Sequence, residues 1–276
     1  MQVSSLSFVF PMYNEEGNIE RMVGETLRVA PWIARDYEIV IVDDASTDSS
    51  GAIADRLAAE DRHVRVVHHP VNRKLGGALK TGFAAARKEY ILYMDSDLPI
   101  RMDEVPPAFG KLKGSDMVIG YRLDRPEGIR RKILSFVYNR LVRALFGLKV
   151  RDVNFSFKLF KRSILNGVKL ESEGSFIDAE LLLETKRHGY GIAEHGFHYR
   201  PREAGESTLS GMPIILTIFK EMGVYRKRLR AEEKMAAVPA REEGRAQRSS
   251  GSGRPSAVPA REEGRERRAA GRAARR

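Results

Sequence analysis

Short, continuously apolar runs alternate with stretches of helical periodicity over the first 120 residues, and this alternation constrains the fold more than any other feature of the chain. Leu6–Phe10, Glu38–Val42, Val64–His68, Tyr90–Met94 and Met117–Gly120 read as strands. Each is apolar nearly throughout rather than at alternate positions, as a parallel sheet covered on both faces requires. Helical patterns fill the intervals at 15–29, 49–60, 77–88 and 103–113. Ser46 or Asp48 is placed to cap the second, and Gly76-Gly77 opens the third. Right-handed βαβ units repeated in this way predict an α/β fold with a doubly wound, mostly parallel sheet and flanking helices. Ligands of such sheets bind beyond the carboxyl ends of the strands, where the strand order reverses.

The later chain is of a different kind. Residues 129–147 place apolar side chains at 133, 134, 137, 141 and 145, with Arg130, Arg131, Lys132, Arg140 and Arg143 elsewhere on the helix. A basic amphipathic helix of this type either packs on the sheet with a solvated face or lies at a membrane surface. A second amphipathic stretch, 213–230, carries Arg226-Lys227-Arg228 near its end. Beyond 231 the nonapeptide Ala-Val-Pro-Ala-Arg-Glu-Glu-Gly-Arg occurs at 237–245 and again at 257–265. Aromatics vanish there, and the segment reads as a disordered basic tail. No run reaches the roughly 18 apolar residues of a membrane-spanning helix, and Met1–Ser4 lacks the basic start of a signal peptide. The chain has no cysteine, which excludes disulfides and thiolate metal sites. Its net charge is +11, of which +5 falls on residues 231–276. That excess suits phosphorylated substrates or anionic lipid. A specific nucleic-acid role is not expected, because no aromatic side chains interleave with the basic runs.

Carboxylates crowd the ends of three strands: Pro11-Met12-Tyr13-Asn14-Glu15, Asp43-Asp44-Ala45-Ser46-Thr47-Asp48 and Asp95-Ser96-Asp97. Singly, each reads as turn chemistry or a helix cap. Brought to one crevice, so many acids are costly unless a cation sits among them. Asp95 and Asp97 have the spacing to face one hard cation, Mg2+ or Mn2+, which takes oxygen ligands. Such a cation would bridge a diphosphate and neutralise charge on a leaving group. The turn at Leu75-Gly76-Gly77 is not a P-loop, and no Gly-x-Gly-x-x-Gly follows the first strand.

Pro11–Glu15, Ile41–Asp48, Asn72–Gly82 and Tyr93–Asp97 together resemble the signature of family 2 glycosyltransferases of GT-A fold. Gly120-Tyr121-Arg122, Arg131-Lys132-Ile133-Leu134-Ser135, Asp152–Phe157 and Arg202–Thr208 extend the resemblance to dolichol- or polyprenyl-phosphate hexose (mannose) synthases. It covers about 4–212. The resemblance implies a nucleotide-sugar-binding half at 1–120 and an acceptor-binding half at 121–212. It implies that Pro11, Tyr13, Glu15 and Asp43 hold the nucleoside of a GDP- or UDP-hexose, with Asp44 also binding substrate. Asp95 and Asp97 would serve metal and diphosphate, with Asp97 counted as catalytic. Arg122, Arg131, Ser135 and Arg202 would hold phosphates, Arg122 and Arg131 in a catalytic role. Three positions depart from that pattern: Pro99 replaces a common Gln, Phe155 a Gly and Thr208 a Lys.

The resemblance implies an inverting hexosyl transfer to a polyprenyl phosphate, at the inner face of a membrane, by a cytoplasmic, peripheral enzyme. A phosphate acceptor is already anionic and needs cations rather than a base. A saccharide hydroxyl, the alternative acceptor, needs a base such as Asp178. A degenerate GT-A scaffold subunit is the alternative without catalysis, suggested by Pro99 and Phe155.

Overall fold

The first strand is long because its neighbours bury both of its faces. In the computed structural model, which describes residues 2–124, 129–200 and 212–250, β1 spans Val3–Met12 and β2 spans Ala34–Asp43. Each extends beyond its apolar core in both directions, and the two run parallel from Val3 beside Ala34 to Met12 beside Asp43. Then follow β3 (Val64–His68), β4 (Tyr90–Tyr93), β5 (Met117–Arg122), β6 (Lys158–Lys161) and β7 (Ile192–Phe197). All seven form one sheet in the order β3-β2-β1-β4-β6-β5-β7. The chain winds outward from β1 through β2 to β3, then returns to the other side of β1 as β4. The order therefore reverses between β1 and β4, which puts the crevice where their carboxyl ends meet. β6 alone runs against its neighbours β4 and β5, and no apolar run in the sequence marked β6 or β7.

Three helices cover the parallel half: α1 (Ile19–Ile33), α2 (Ser50–Glu60) and α3 (Lys74–Ala85). Leu6, Phe8, Phe10 and Met12 point to one face with Ile39, Ile41 and the α1 residues Met22 and Val29. On the other face α3 comes so close that a Cβ on Gly82 would stand 2.4 Å from Val9. Both faces are buried, which explains the unbroken apolar runs.

The boundaries moved where loops carry chemistry. α1 starts four residues later than its periodicity suggests, because Asn14 takes a left-handed φ of 55° and the segment after it is bound to the loop beyond β2. α3 begins at Lys74, three residues before the glycine pair ends. Gly76 and Gly77 make room instead: a Cβ on Gly76 would lie 2.3 Å from the Ser172 carbonyl oxygen. The 103–113 stretch forms two 3-10 turns, Met102–Glu104 and Pro106–Gly114, since its prolines cannot donate to an α-helix. Neither Ser46 nor Asp48 is the N-cap of α2. That residue is Ser49, although Asp48 accepts from the Ser50 N–H at 2.9 Å.

The later helices are α4 (Ile129–Phe146), α5 (Ile177–Arg187) and α6 (Met212–Ser250). The sequence ends the second amphipathic stretch at 230, yet α6 continues to Ser250, through the first nonapeptide copy. Ala, Arg, Glu and Lys are strong helix formers even where nothing packs on them, and Arg228 pairs with Glu232 one turn on. The compact unit holding all earlier elements ends at Arg226. The second copy, 257–265, lies outside the described residues. Among the described residues no helix is long and apolar enough to cross a membrane.

Below the sheet's ligand edge, Glu38 ties four segments together. It accepts from the Ser7 hydroxyl at 2.7 Å, from the Arg87 N–H at 2.6 Å and from Arg65 through both Nε and Nη2. Burial alone would raise this carboxyl, but those donors and the Arg65 charge bring it below its ordinary value. A depressed carboxylate stabilises the fold above its unfolded pKa of about 4.3 and ceases to do so as pH falls. Glu38→Gln is therefore expected to cost about 2 kcal/mol at pH 7 and clearly less at pH 3. Urea midpoints of both proteins at the two pH values check this; an equal difference at both would refute it.

Candidate functional site

The tips of β1, β2 and β4 are fastened to one another. The Ser96 hydroxyl donates to the Pro11 carbonyl at 2.7 Å, and the Asp44 N–H to the Met12 carbonyl at 2.8 Å. The β1 and β2 loops are laced by side chains: Thr47 N–H to Asn14 Oδ1, Asn14 N–H to Ser46 Oγ, Glu15 N–H to Ser50 Oγ and Ser49 N–H to Glu16. Left-handed φ values at Asn14, Ala45 and Leu98 fall just past these three strands. Backbone strain gathered at one edge is characteristic of a ligand site. Asp43, Asp95 and Asp97 thus share the edge that the strand order opens.

Asp43 and Asp44 are buried and already engaged. Asp43 accepts from the Ser46 N–H and pairs with His68 Nδ1 at 2.8 Å; Asp44 accepts from the Arg73 N–H and pairs with His69 Nδ1 at 2.7 Å. Asp55 and Asp43 both raise the His68 pKa against its burial. Neither histidine was singled out in the sequence, since His68-His69 lies at the end of β3, far along the chain from its partners. Glu15 turns one oxygen to Asn18 at 2.7 Å. Tyr13 stands half-exposed just beyond β1.

Asp95 follows β4 at this edge and is half-buried. Burial raises its pKa against the Ser156 hydroxyl, the Lys158 ammonium, Tyr93 and the Arg122 charge, all of which favour the carboxylate. Lys158 is entirely buried. Its Nζ donates to the Phe155 carbonyl at 2.8 Å, pairs with Asp178 at 2.5 Å and lies 5.3 Å from the Tyr93 ring centre. A lysine flanked by Phe157 and Leu159 is the local signal that would have found it. Asp178 is pushed up to about 6 by burial, with Lys158 opposing. Held in this pair, it is not placed as the exposed base that a hydroxyl acceptor needs. Glu180 beside it accepts the Glu171 and Ser172 N–H groups.

Asp97 is anchored through its main chain, its carbonyl accepting from Arg21 at 3.3 Å. Among the described residues no group of three or more His, Asp or Glu side chains is gathered to hold a metal ion. The donor set nevertheless suits a divalent cation of the magnesium or manganese type. Two hard carboxylates flank Ser96, and such ions commonly take one or two carboxylates and complete their shell with phosphate oxygens and water. Pro99 adds no side-chain ligand, and its carbonyl accepts the Arg200 N–H at 2.8 Å.

Arg122 ends β5. It pairs with Asp152 at 3.1 Å and lies between the rings of Phe155 and Tyr199, 5.2 Å from each centre. Phe155, the bulky departure from the family pattern, is thus a platform for that guanidinium. It fits because Gly120 leaves space: a Cβ there would lie 2.5 Å from the Phe155 ring. Arg131 and Ser135 lie on α4. Arg202, and the motif that carries it, lies outside the described residues.

A seven-stranded α/β sheet thus carries strained, acid-rich tips at its switch point, the edge at which sheets of this winding bind their ligands. Residues 7–168 match the model of Glycosyl transferase family 2, and the chain belongs to that family. It is 32% identical over 209 residues to Glycosyltransferase AglD of Haloferax volcanii, across 71% of this chain and 33% of that protein. The chain thus spans about a third of that relative's length. It is 30% identical over 226 residues to Polyprenol monophosphomannose synthase of Mycolicibacterium smegmatis, across 77% of this chain and 83% of that one. Among solved structures it resembles glucosyl-3-phosphoglycerate synthase from Mycobacterium tuberculosis, in complex with Mn2+, uridine-diphosphate-glucose and phosphoglyceric acid. The TM-score is 0.60 at 23% identity, covering 80% of each chain. The GT-A fold that the motifs imply is the fold observed.

Proposed function

We propose that this protein transfers a hexose from a nucleoside diphosphate sugar to a polyprenyl phosphate at a membrane surface. The observation that carries this reading is the placement of Arg122. A guanidinium held by Asp152 and two rings sits close enough to Asp95 to favour its charged form. An anion-binding group therefore adjoins the carboxylates suited to a cation and diphosphate. The relative named as a polyprenol monophosphomannose synthase supports the lipid acceptor. The Mn2+ and uridine-diphosphate-glucose of the solved neighbour support a metal and a nucleotide sugar.

Asp95 and Asp97 would hold the cation, which when bound supplies positive charge to the departing diphosphate. A phosphate oxygen of the acceptor attacks C1 of the sugar as the bond from C1 to the diphosphate oxygen breaks. The bonding electrons leave with the nucleoside diphosphate, and in-line attack inverts C1. No proton need be removed, so positioning cations suffice. Pro11, Tyr13, Glu15, Asp43 and Asp44 line the nucleoside side of the edge.

The membrane part of the reading is supported by α4. Ile133, Leu134, Phe136 and Val137 are 50–65% exposed there, with Arg140 and Arg143 following along the helix. Exposed apolar side chains beside cations suit anionic lipid, and one such helix gives reversible attachment.

The direct test incubates the protein with labelled GDP- and UDP-hexoses, Mn2+ and polyprenyl phosphate in anionic vesicles. Label is expected to enter the organic phase, and the protein to sediment with the vesicles. Label confined to water with every donor would reject the acceptor, and protein left in the supernatant would reject the docking. Arg131→Ala is expected to lower kcat/KM for polyprenyl phosphate about 10- to 100-fold, as for loss of one charge-assisted hydrogen bond. Donor hydrolysis in its absence should hold. Unchanged use of the lipid would remove Arg131 from the acceptor site.

A further inference from the structure

Helix α5 does not cap itself. Its N-cap residue is Phe176, which has no side-chain acceptor, yet N–H groups of the N-cap residue and of the turn that leads into it are satisfied from another helix. Glu221 of α6 accepts from Gly174 at 2.6 Å and Glu173 at 3.2 Å through Oε1, and more weakly from Phe176 at 3.4 Å through Oε2. A Cβ on Gly174 would come within 2.9 Å of that carboxylate, so a larger residue here would push the Glu221 side chain back. The negative charge also faces the positive end of the α5 dipole.

The same junction is closed by three rings. Phe146 of α4, Phe176 and Tyr225 of α6 have centres 5.5–6.3 Å apart, and the Tyr225 hydroxyl donates to Glu184 at 2.8 Å. α6 therefore grips α5 at its start and again two turns on. Between the two grips α5 presents Asp178, which pairs with Lys158, the buried cation whose charge favours the Asp95 carboxylate and whose Nζ lies 5.3 Å from the ring centre of Tyr93, a donor to Asp95. The buried Tyr138 hydroxyl of α4 is raised well above its ordinary pKa, first by burial and then by Asp178 and Glu221. Both carboxylates thus act by their charge on one buried group. The opposite face of α6 exposes Leu216, Phe219 and Val224.

We infer that Glu221 is a positioning residue for the transfer reaction. By capping α5 it sets Asp178, and through Lys158 the Asp95 carboxylate, so the C-terminal amphipathic helix is a working part of the site. This rests on the transferase reading above.

The test uses the full chain with Glu221→Ala and Glu221→Gln, measuring kcat, KM, melting temperature and backbone hydrogen exchange. Misplacement of a site group by an ångström costs up to about 100-fold, so Glu221→Ala should lower kcat about 10- to 100-fold per folded molecule. KM for the donor should stay within about threefold. Glu221→Gln keeps an oxygen for the Gly174 N–H and should retain at least about a third of kcat. Exchange should quicken in the alanine variant at 173–180 and at 155–158. Wild-type kcat in the alanine variant, a loss accounted for by its unfolded fraction, or equal effects of Ala and Gln would overturn the inference. If the wild type transfers no sugar, the transferase reading falls, and unchanged exchange at 155–158 would still sink the coupling.

Discussion

Asp97→Asn is expected to abolish sugar transfer, with a loss of at least about 10³-fold in kcat, while the protein stays folded. The size follows from the task. A carboxylate that holds a divalent cation against a leaving diphosphate stabilises charge that develops only in the transition state, and such groups are worth about 4 kcal/mol or more. Asparagine has the same shape, and the Asp97 carbonyl that accepts from Arg21 is unaffected by the change. The circular dichroism spectrum and melting temperature should therefore remain close to those of the wild type. The decisive measurement pairs turnover with calorimetric binding of UDP or GDP in the presence and absence of Mn2+. The variant should lose the increment that Mn2+ adds and keep the metal-free affinity. Transfer surviving in Asp97→Asn would remove the diphosphate from these strand tips and with it the proposed chemistry.

Lys158→Met is expected to be the most damaging substitution to stability, at about 3–5 kcal/mol, because it leaves Asp178 buried without its cation. For a unit of this size that corresponds to a fall of roughly 10 °C in melting temperature. The cost should grow with pH. Without Lys158 the Asp178 carboxyl is neutralised by taking up a proton, and a buried carboxyl with a raised pKa stabilises the fold at low pH and loses that contribution as pH rises through the folded value. Lys158→Met should thus be less destabilised at pH 5 than at pH 8. Adding Asp178→Leu removes the orphaned charge and should restore most of the stability, since apolar replacement of a whole buried pair is often neutral or better. Activity should not return, because the Phe155 carbonyl has lost its donor and Asp95 its nearby ammonium. Thermal melts and turnover of the single and double variants separate the two effects. A double variant with normal turnover would show Lys158 to be structural only.

The parallel half of the fold was legible because its signals are local. β3 is the Val64–His68 run of the sequence, and β1 and β2 contain theirs with a few residues added at each end. β6 and β7 were not legible. Four residues of β6, one of them a buried lysine, carry too little periodicity to read, and β7, whose side chains are mostly half-buried, is not an apolar run. The strand-tip carboxylates were legible for a related reason: strands end where polar residues begin, and βαβ winding sends every such end to one edge. The motifs pointed to Arg122 but not to what holds it. Asp152, Phe155 and Tyr199 reach it from three separate segments.

By itself the sequence determined that the chain winds a parallel sheet, that acids stand at three of its strand ends, and that two later helices carry apolar and basic faces. Hydrophobic period and strand termini are properties of neighbouring residues, so they survive without coordinates. Only the tertiary structure decided what each charge is paired with. His68 and His69 hold Asp43 and Asp44, Lys158 pairs with Asp178, and Glu221 accepts from the N-cap residue of a helix, 45 residues earlier. Pairing of this kind depends on distance through space and on exclusion from water, and no local pattern along the chain records either.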